Sequence, residues 1–213
     1  MNRKHFFIND REISNNQPPY IIAEISANHN GSIQRAKDTI LAAKKAGVDA
    51  VKIQTYTPDT MTIDVANSDF YIREGLWKGR SLHDLYGEAY TPYEWHPKLF
   101  EFAKKIDITL FSSPFDESAV DLLESLEAPA YKVASFEIVD LPLIKYIAAK
   151  NKPILISTGM AALDEIGNAI EVAKSSGNGN IALFHCISSY PATLSEANLK
   201  SIALLMREFN VQV

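Results

Sequence analysis

A single cysteine, Cys186, leaves no partner for an internal disulfide and fits a reducing compartment. Long apolar runs are also missing. No window reaches the ~18 apolar residues of a membrane-spanning helix, and the N-terminal MNRKHFFINDREI carries charge where a signal peptide would carry an apolar core. Both absences predict a cytoplasmic protein. There is no basic excess either: 21 Lys and Arg stand against 26 Asp and Glu, a net charge of −5. That balance argues against nucleic acid or an acidic membrane surface as partner and leaves a small molecule. HxxxH spacing, paired cysteines and a GxSxG nucleophile elbow are all absent, so His29 and His185 stand alone and are expected to serve structure or substrate rather than metal.

What is present is an ordinary globular composition, 46% hydrophobic and 22% charged, and a repeating pattern. Residues 1–19 end in Pro18-Pro19 and are expected to cap a barrel bottom or pair as a small hairpin. From residue 20 onward, apolar runs ending in polar residues alternate with amphipathic stretches. Strands are predicted over 20–25, 49–54, 108–111, 128–133, 153–156 and 180–184. Helices are predicted over 32–46, 92–105, 116–126, 141–150, 163–175 and 196–209, and 211–213 reads as the start of a seventh strand. Thr91, Pro92 and Glu94 have the spacing of a capping box for the second of these helices. The connection from Thr55 to Thr91 is much longer than the ~2–6 residues usual between strand and helix, which suggests a lid.

Strands without polar alternation, separated by helices, indicate a parallel α/β fold. An open doubly wound sheet and a (β/α)8 TIM barrel both fit. Polar residues at all six strand ends favour the barrel, carried here for about six βα units and the start of strand seven. On that reading, 20–213 is an incomplete barrel domain whose strand ends converge on one pocket.

The chemistry-bearing residues lie at those ends. Glu24 closes an otherwise apolar strand, so it is either paired with a lysine or placed for substrate or acid-base work. Lys52 and Lys132 occupy equivalent places in strands two and four, where lysines act as anion ligands, Schiff-base nucleophiles or snorkelling side chains; two of them favour an anion. Lys52 and Gln54 alternate along their strand and share a face. Ser112, Ser113, Ser135, Ser157 and Thr158 supply hydroxyls, and Gly159 leaves backbone amides accessible. Each serine alone is an ordinary cap or turn former, but together with two lysines they suit phosphate plus carboxylate. Cys186 is expected to be buried packing. Trp77, Tyr86, Tyr93 and Trp95 line a sugar site or pack the lid.

Seven ordered segments resemble the sialic acid synthase family: AEISANHNG (23–31), KIQTYTPD (52–59), GLWKGRSLHDLY (75–86) with TPYEWH (91–96), SSPFD (112–116), YKVASFE (131–137), STGM (157–160) and HCISSYP (185–191). The lid segments are most similar to the branch of that family that builds pseudaminic acid. N-acetylneuraminate and legionaminate synthesis are the near alternatives. The resemblance implies a barrel that condenses phosphoenolpyruvate with the aldehyde of an acetamido sugar, giving a nine-carbon 2-keto acid and phosphate. It places Ser113, Lys132, Ser135 and Ser157 at the phosphate, with Lys52 near the carboxylate. Glu24, Gln54 and Tyr190 fall at the sugar, and Glu137 at the reacting carbonyl. Ser188 stands where some members carry asparagine.

The resemblance also implies a divalent metal, Mn2+ or Mg2+, held by two histidines on strands seven and eight. It further implies an antifreeze-like domain and a homodimer whose partner contributes an arginine. Neither His29 nor His185 matches those ligands, so the expectation is an N-terminal part of such an enzyme whose own activity is open. A non-catalytic sugar-phosphate-binding module and a Schiff-base aldolase using Lys132 are the readings from other classes.

Overall fold

The computed structural model describes residues 5–189 and 191–213, which fall into two compact units, residues 21–127 and residues 5–20 with 128–213. The N-terminal segment forms the hairpin, β1 (Phe6–Ile8) and β2 (Arg11–Ile13), antiparallel with Phe6 opposite Ile13. Alternation buries Phe6 and Ile8 and leaves Phe7 exposed. Asn9 takes φ 49° at the turn, a left-handed conformation that asparagine tolerates.

In the unit 21–127, β3 (Ile22–Glu24) leads to α1 (Ile33–Lys45), which begins where Ser32 accepts a hydrogen bond from the Arg35 amide. Then β4 (Ala50–Thr55) runs parallel to β3. The long connection after it is built rather than loose: α2 (Pro58–Met61), a 3-10 turn at Ser68–Phe70 and α3 (Leu82–Ala89), capped by Ser81. Next come α4 (His96–Lys105), β5 (Thr109–Pro114), parallel to β4, and α5 (Glu117–Ser125). The core of this unit is Ile25, Ile40, Val51, Ile53, Leu99 and Leu110 with their neighbours, where the helices cover one face of the strands. Burying each such aliphatic side chain contributes roughly 1.5–3 kcal/mol.

In the other unit, β6 (Tyr131–Val133), β7 (Ile154–Ser157) and β8 (Ile181–Phe184) are parallel, and α6 (Leu141–Ala148), α7 (Leu163–Ser175) and α8 (Lys200–Phe209) follow them. Gln212 forms a parallel bridge to Ala182, so the chain end does begin another strand position beside β8.

Several boundaries differ from the sequence reading, among them the strand expected to end at Phe111, which runs on to Pro114. The helix expected over 92–105 starts at His96, after a 3-10 turn at Tyr93–Trp95. Thr91 does not cap it, because its buried hydroxyl lies 3.4 Å from His29 Nε2. The helix expected from Glu196 starts at Lys200. Asn198 has φ 42°, and the Glu196 carboxylate accepts from the Thr193 amide and hydroxyl, closing a separate 3-10 turn. Strand four starts at Tyr131 rather than Ala128, with Pro129 lacking the N–H that a ladder needs.

The cap of α6 is the sharpest local determinant: Asp140 accepts from the Leu143 amide at 3.0 Å, and Pro142 occupies the first turn. Asp140→Ala should lower stability by about 1 kcal/mol, read from the urea unfolding midpoint, with Asp140→Asn retaining most of it.

Candidate active site

Strand parity sorts the polar residues. In β4, Val51, Ile53 and Thr55 turn toward the helices, so Lys52 and Gln54 share the other face. Register then places Glu24 beside Lys52, and Ser113 beside Gln54. The side chains follow: Lys52 Nζ lies 2.5 Å from Glu24 Oε2 and donates to Ser113 Oγ at 3.1 Å. Glu24 Oε1 also accepts from the Ser26 amide at 3.0 Å, in a turn where Ser26 has φ 49°. Glu24 thus meets a lysine of the adjacent strand.

Ser112 points the opposite way. Its hydroxyl lies 2.6 Å from Thr55 Oγ1, which lies 2.8 Å from His96 Nε2, while His96 Nδ1 donates to the Pro92 carbonyl at 3.1 Å. Burial lowers the His96 pKa, so the ring is neutral, Nδ1 carries the proton and Thr55 donates to Nε2. This network is structural. His29 is similar: it accepts from the Gly31 amide through Nδ1 at 3.2 Å, packs edge-on against Trp95, and has a pKa lowered by burial.

The aromatic residues of the long connection after β4 are mostly packing. Tyr56, 3% exposed, meets Tyr86 edge-on at 5.8 Å and Phe115 at 5.4 Å, and burial together with Tyr86 pushes its pKa up to about 12. Tyr93 packs against His96, and Trp77 is the one of the four candidates that is exposed.

In the unit containing β6 to β8, register puts Lys132, Leu155 and Ala182 in one row and Ser157 and Phe184 in the next, all on one face. Lys132, 7% exposed, donates to Ser157 Oγ at 2.5 Å and to the Val133 carbonyl at 2.8 Å, with its ammonium 5.5 Å from the Phe184 ring centre. Immediately beyond β7, Gly159 is hemmed in. A Cβ there would press hard into Ser188 Oγ, fall 2.9 Å from Ser135 Oγ and lie 3.4 Å from Cys186 Cβ. Only glycine leaves room for those hydroxyls to crowd the backbone. Lys132, Ser135, Ser157 and Ser188 therefore belong to one small neighbourhood. Tyr190 lies outside the described residues.

Cys186, expected as inert packing, is half-exposed, with Sγ 3.2 Å from Ser157 Oγ. Sequence could not signal this contact, because the two residues are 29 positions apart. His185 Nε2 donates to the Ala197 carbonyl at 2.8 Å, fastening the turn after β8. Among the described residues no group of three His, Cys, Asp or Glu side chains gathers.

Residues 39–213 match the model of the NeuB family. The chain is 47% identical over 196 residues to the pseudaminic acid synthase of Helicobacter pylori, covering 92% of this chain and 58% of that protein. It is 46% identical over 194 residues to the pseudaminic acid synthase of Campylobacter jejuni, covering 91% and 57%. It thus spans somewhat more than half the length of these relatives. Among solved structures it is similar to N-acetylneuraminic acid synthetase of Leptospira borgpetersenii in complex with citrate. The TM-score is 0.86 at 26% identity, over 98% of this chain and 68% of that one. The six βα units are those of the (β/α)8 barrel class expected from the sequence.

Glu137 sits in the 3-10 turn after β6 (Phe136–Val139), and its Oε2 is shut off from solvent without a hydrogen-bond partner among the described residues. Burial raises its pKa, and its own backbone N–H and Lys132 pull it partly back. The folded state therefore favours the neutral acid. The stability this gives is present below the ordinary value of 4.5 and is lost as pH rises through the elevated one. Glu137→Gln, neutral throughout, should match wild type in urea midpoint near pH 4.5 and exceed it at about pH 7.5. Parallel midpoint curves for the two proteins would contradict this.

Proposed function

Since the chain belongs to the NeuB family, we propose that it carries the phosphoenolpyruvate-handling part of a pseudaminic acid synthase-like enzyme. The reaction is a condensation. C3 of phosphoenolpyruvate bonds to the aldehyde carbon of an open-chain acetamido sugar, whose oxygen takes a proton. Water supplies the oxygen at C2, and phosphate leaves, giving a nine-carbon 2-keto acid. The observation that carries this reading is the neighbourhood of Lys132, Ser135, Ser157 and Ser188 around Gly159. It joins a cation to several hydroxyls against bare backbone, as a phosphate requires. Lys132 supplies positive charge to the phosphate oxygens as the leaving group develops, and Ser135 and Ser157 fix their orientation.

Glu137, held toward its neutral form, is suited to deliver a proton to the sugar oxygen. Glu24, Lys52, Gln54 and Ser113 are assigned on family resemblance. Lys52 and Ser113 would serve phosphoenolpyruvate, Glu24 and Gln54 the sugar. The Glu24–Lys52 contact keeps both charged ends oriented while they wait for ligand. The choice of sugar rests on the identities to the two pseudaminic acid synthases and on the GLW segment of the lid, with Ser188 as a further determinant.

Phosphate release from phosphoenolpyruvate should depend on an acetamido-sugar aldehyde and be fastest with the precursor of pseudaminic acid. Lys132→Met should lower kcat/KM for phosphoenolpyruvate roughly a hundredfold. Equal turnover by Lys132→Met, or a borohydride-trapped pyruvate adduct on Lys132, would replace this mechanism with another.

A further inference from the structure

The hydroxyl of Ser157 is more constrained than its place in the neighbourhood suggests. A serine oxygen accepts two hydrogen bonds and donates one. Lys132 can only donate, so its 2.5 Å contact occupies one lone pair of Ser157 Oγ. The 3.2 Å contact with Cys186 Sγ could run in either direction, and a second acceptor, the Phe184 carbonyl, lies 3.6 Å from the same sulfur. That carbonyl is already filled: it accepts from the Thr158 amide at 3.0 Å and from Thr158 Oγ1 at 2.9 Å. A carbonyl oxygen has two lone pairs, so the thiol hydrogen goes to Ser157. Both lone pairs of Ser157 are then taken, and its own O–H has no acceptor among the described residues although the side chain is 6% exposed. A buried donor without an acceptor is costly, and it is relieved by a ligand that brings one.

We infer that Cys186 is a positioning residue: its S–H holds the Ser157 hydroxyl in the one orientation that presents the O–H to an anionic oxygen. Thr158 completes the device by removing the competing acceptor, and the site thereby selects a ligand oxygen that accepts and does not donate, such as a phosphate dianion. The inference rests on the phosphate reading of this neighbourhood given above. Without the thiol, one lone pair of Ser157 Oγ is left open and its O–H is no longer confined to the orientation that faces the ligand.

Because Cys186 is the chain's single cysteine, its S–H stretching band in the infrared can be read without interference. That band should shift to lower frequency in the wild type and move back in Ser157→Ala, whatever ligand the site takes. Calorimetric titration with phosphoenolpyruvate and with inorganic phosphate then separates donor from packing. Cys186→Ala and Cys186→Val should each weaken both ligands about fivefold, while Cys186→Ser, which keeps a donor in a smaller side chain, stays within about twofold of wild type. A packing role predicts the reverse order, with Val best and Ser no better than Ala. Melting curves show whether each variant is folded, and the Ser and Val pair decides the question if Ala is not. An S–H band indifferent to Ser157→Ala, or Val binding as wild type does, overturns the inference. Wild type binding neither anion overturns the functional reading and this inference with it, whereas equal binding by wild type and all three Cys186 variants overturns the positioning role alone.

Discussion

A parallel strand sends consecutive side chains to opposite faces, and in this protein helices claim one of those faces. The strand-borne side chains of the candidate site follow from that alternation. Ser112 and Ser113 are chemically identical neighbours, yet the first is spent on Thr55 and His96 beneath the helices while the second meets Lys52. Lys52 and Gln54 share a face because Val51, Ile53 and Thr55 are drawn into the apolar layer. Parallel register repeats the arrangement in the other unit, where Lys132 and Ser157 lie diagonal to one another across β6 and β7 and therefore touch. A slip of one residue in any of these strands would exchange reactive groups for core.

The two lysines are held differently. Lys52 meets a carboxylate of the adjacent strand, which keeps an aliphatic stem and a charged end in place on a face only partly open to water. Lys132 is held by a hydroxyl and a backbone carbonyl, groups that fix direction without adding a formal charge. Glu137 lies near enough for the Lys132 charge to offset part of its burial, yet burial prevails. A cation beside an acid that prefers its proton is an environment that accepts further negative charge with little rearrangement.

Much of the fold was legible from residues alone. The limits of α7 were read to the residue, and α1 was read from Ser32 and Gly47, because cap, apolar period and stop signal agreed. Thr91 and Glu196 misled because side chains that spell a helix start locally are used elsewhere, by His29 in one case and by Thr193 in the other. At the site, alternation made Lys52 and Gln54 readable as a pair, whereas Glu24, expected in an apolar setting, is exposed at the end of β3 and meets Lys52 there. Nothing local distinguishes Cys186 from a packing cysteine. Its importance comes from Ser157 and from a carbonyl that Thr158 has filled, relations that exist only once β7 and β8 are side by side.

Tyr56, just after β4, packs against Tyr86 from α3 and Phe115 from the link between β5 and α5. The long segment between Tyr56 and Tyr86 is thus a cassette clasped at both ends by one aromatic cluster. Insertions, deletions or wholesale exchange within it need not disturb the strands, provided the clasp survives. Such a segment is free to change length and sequence on its own, while the strands on either side keep theirs.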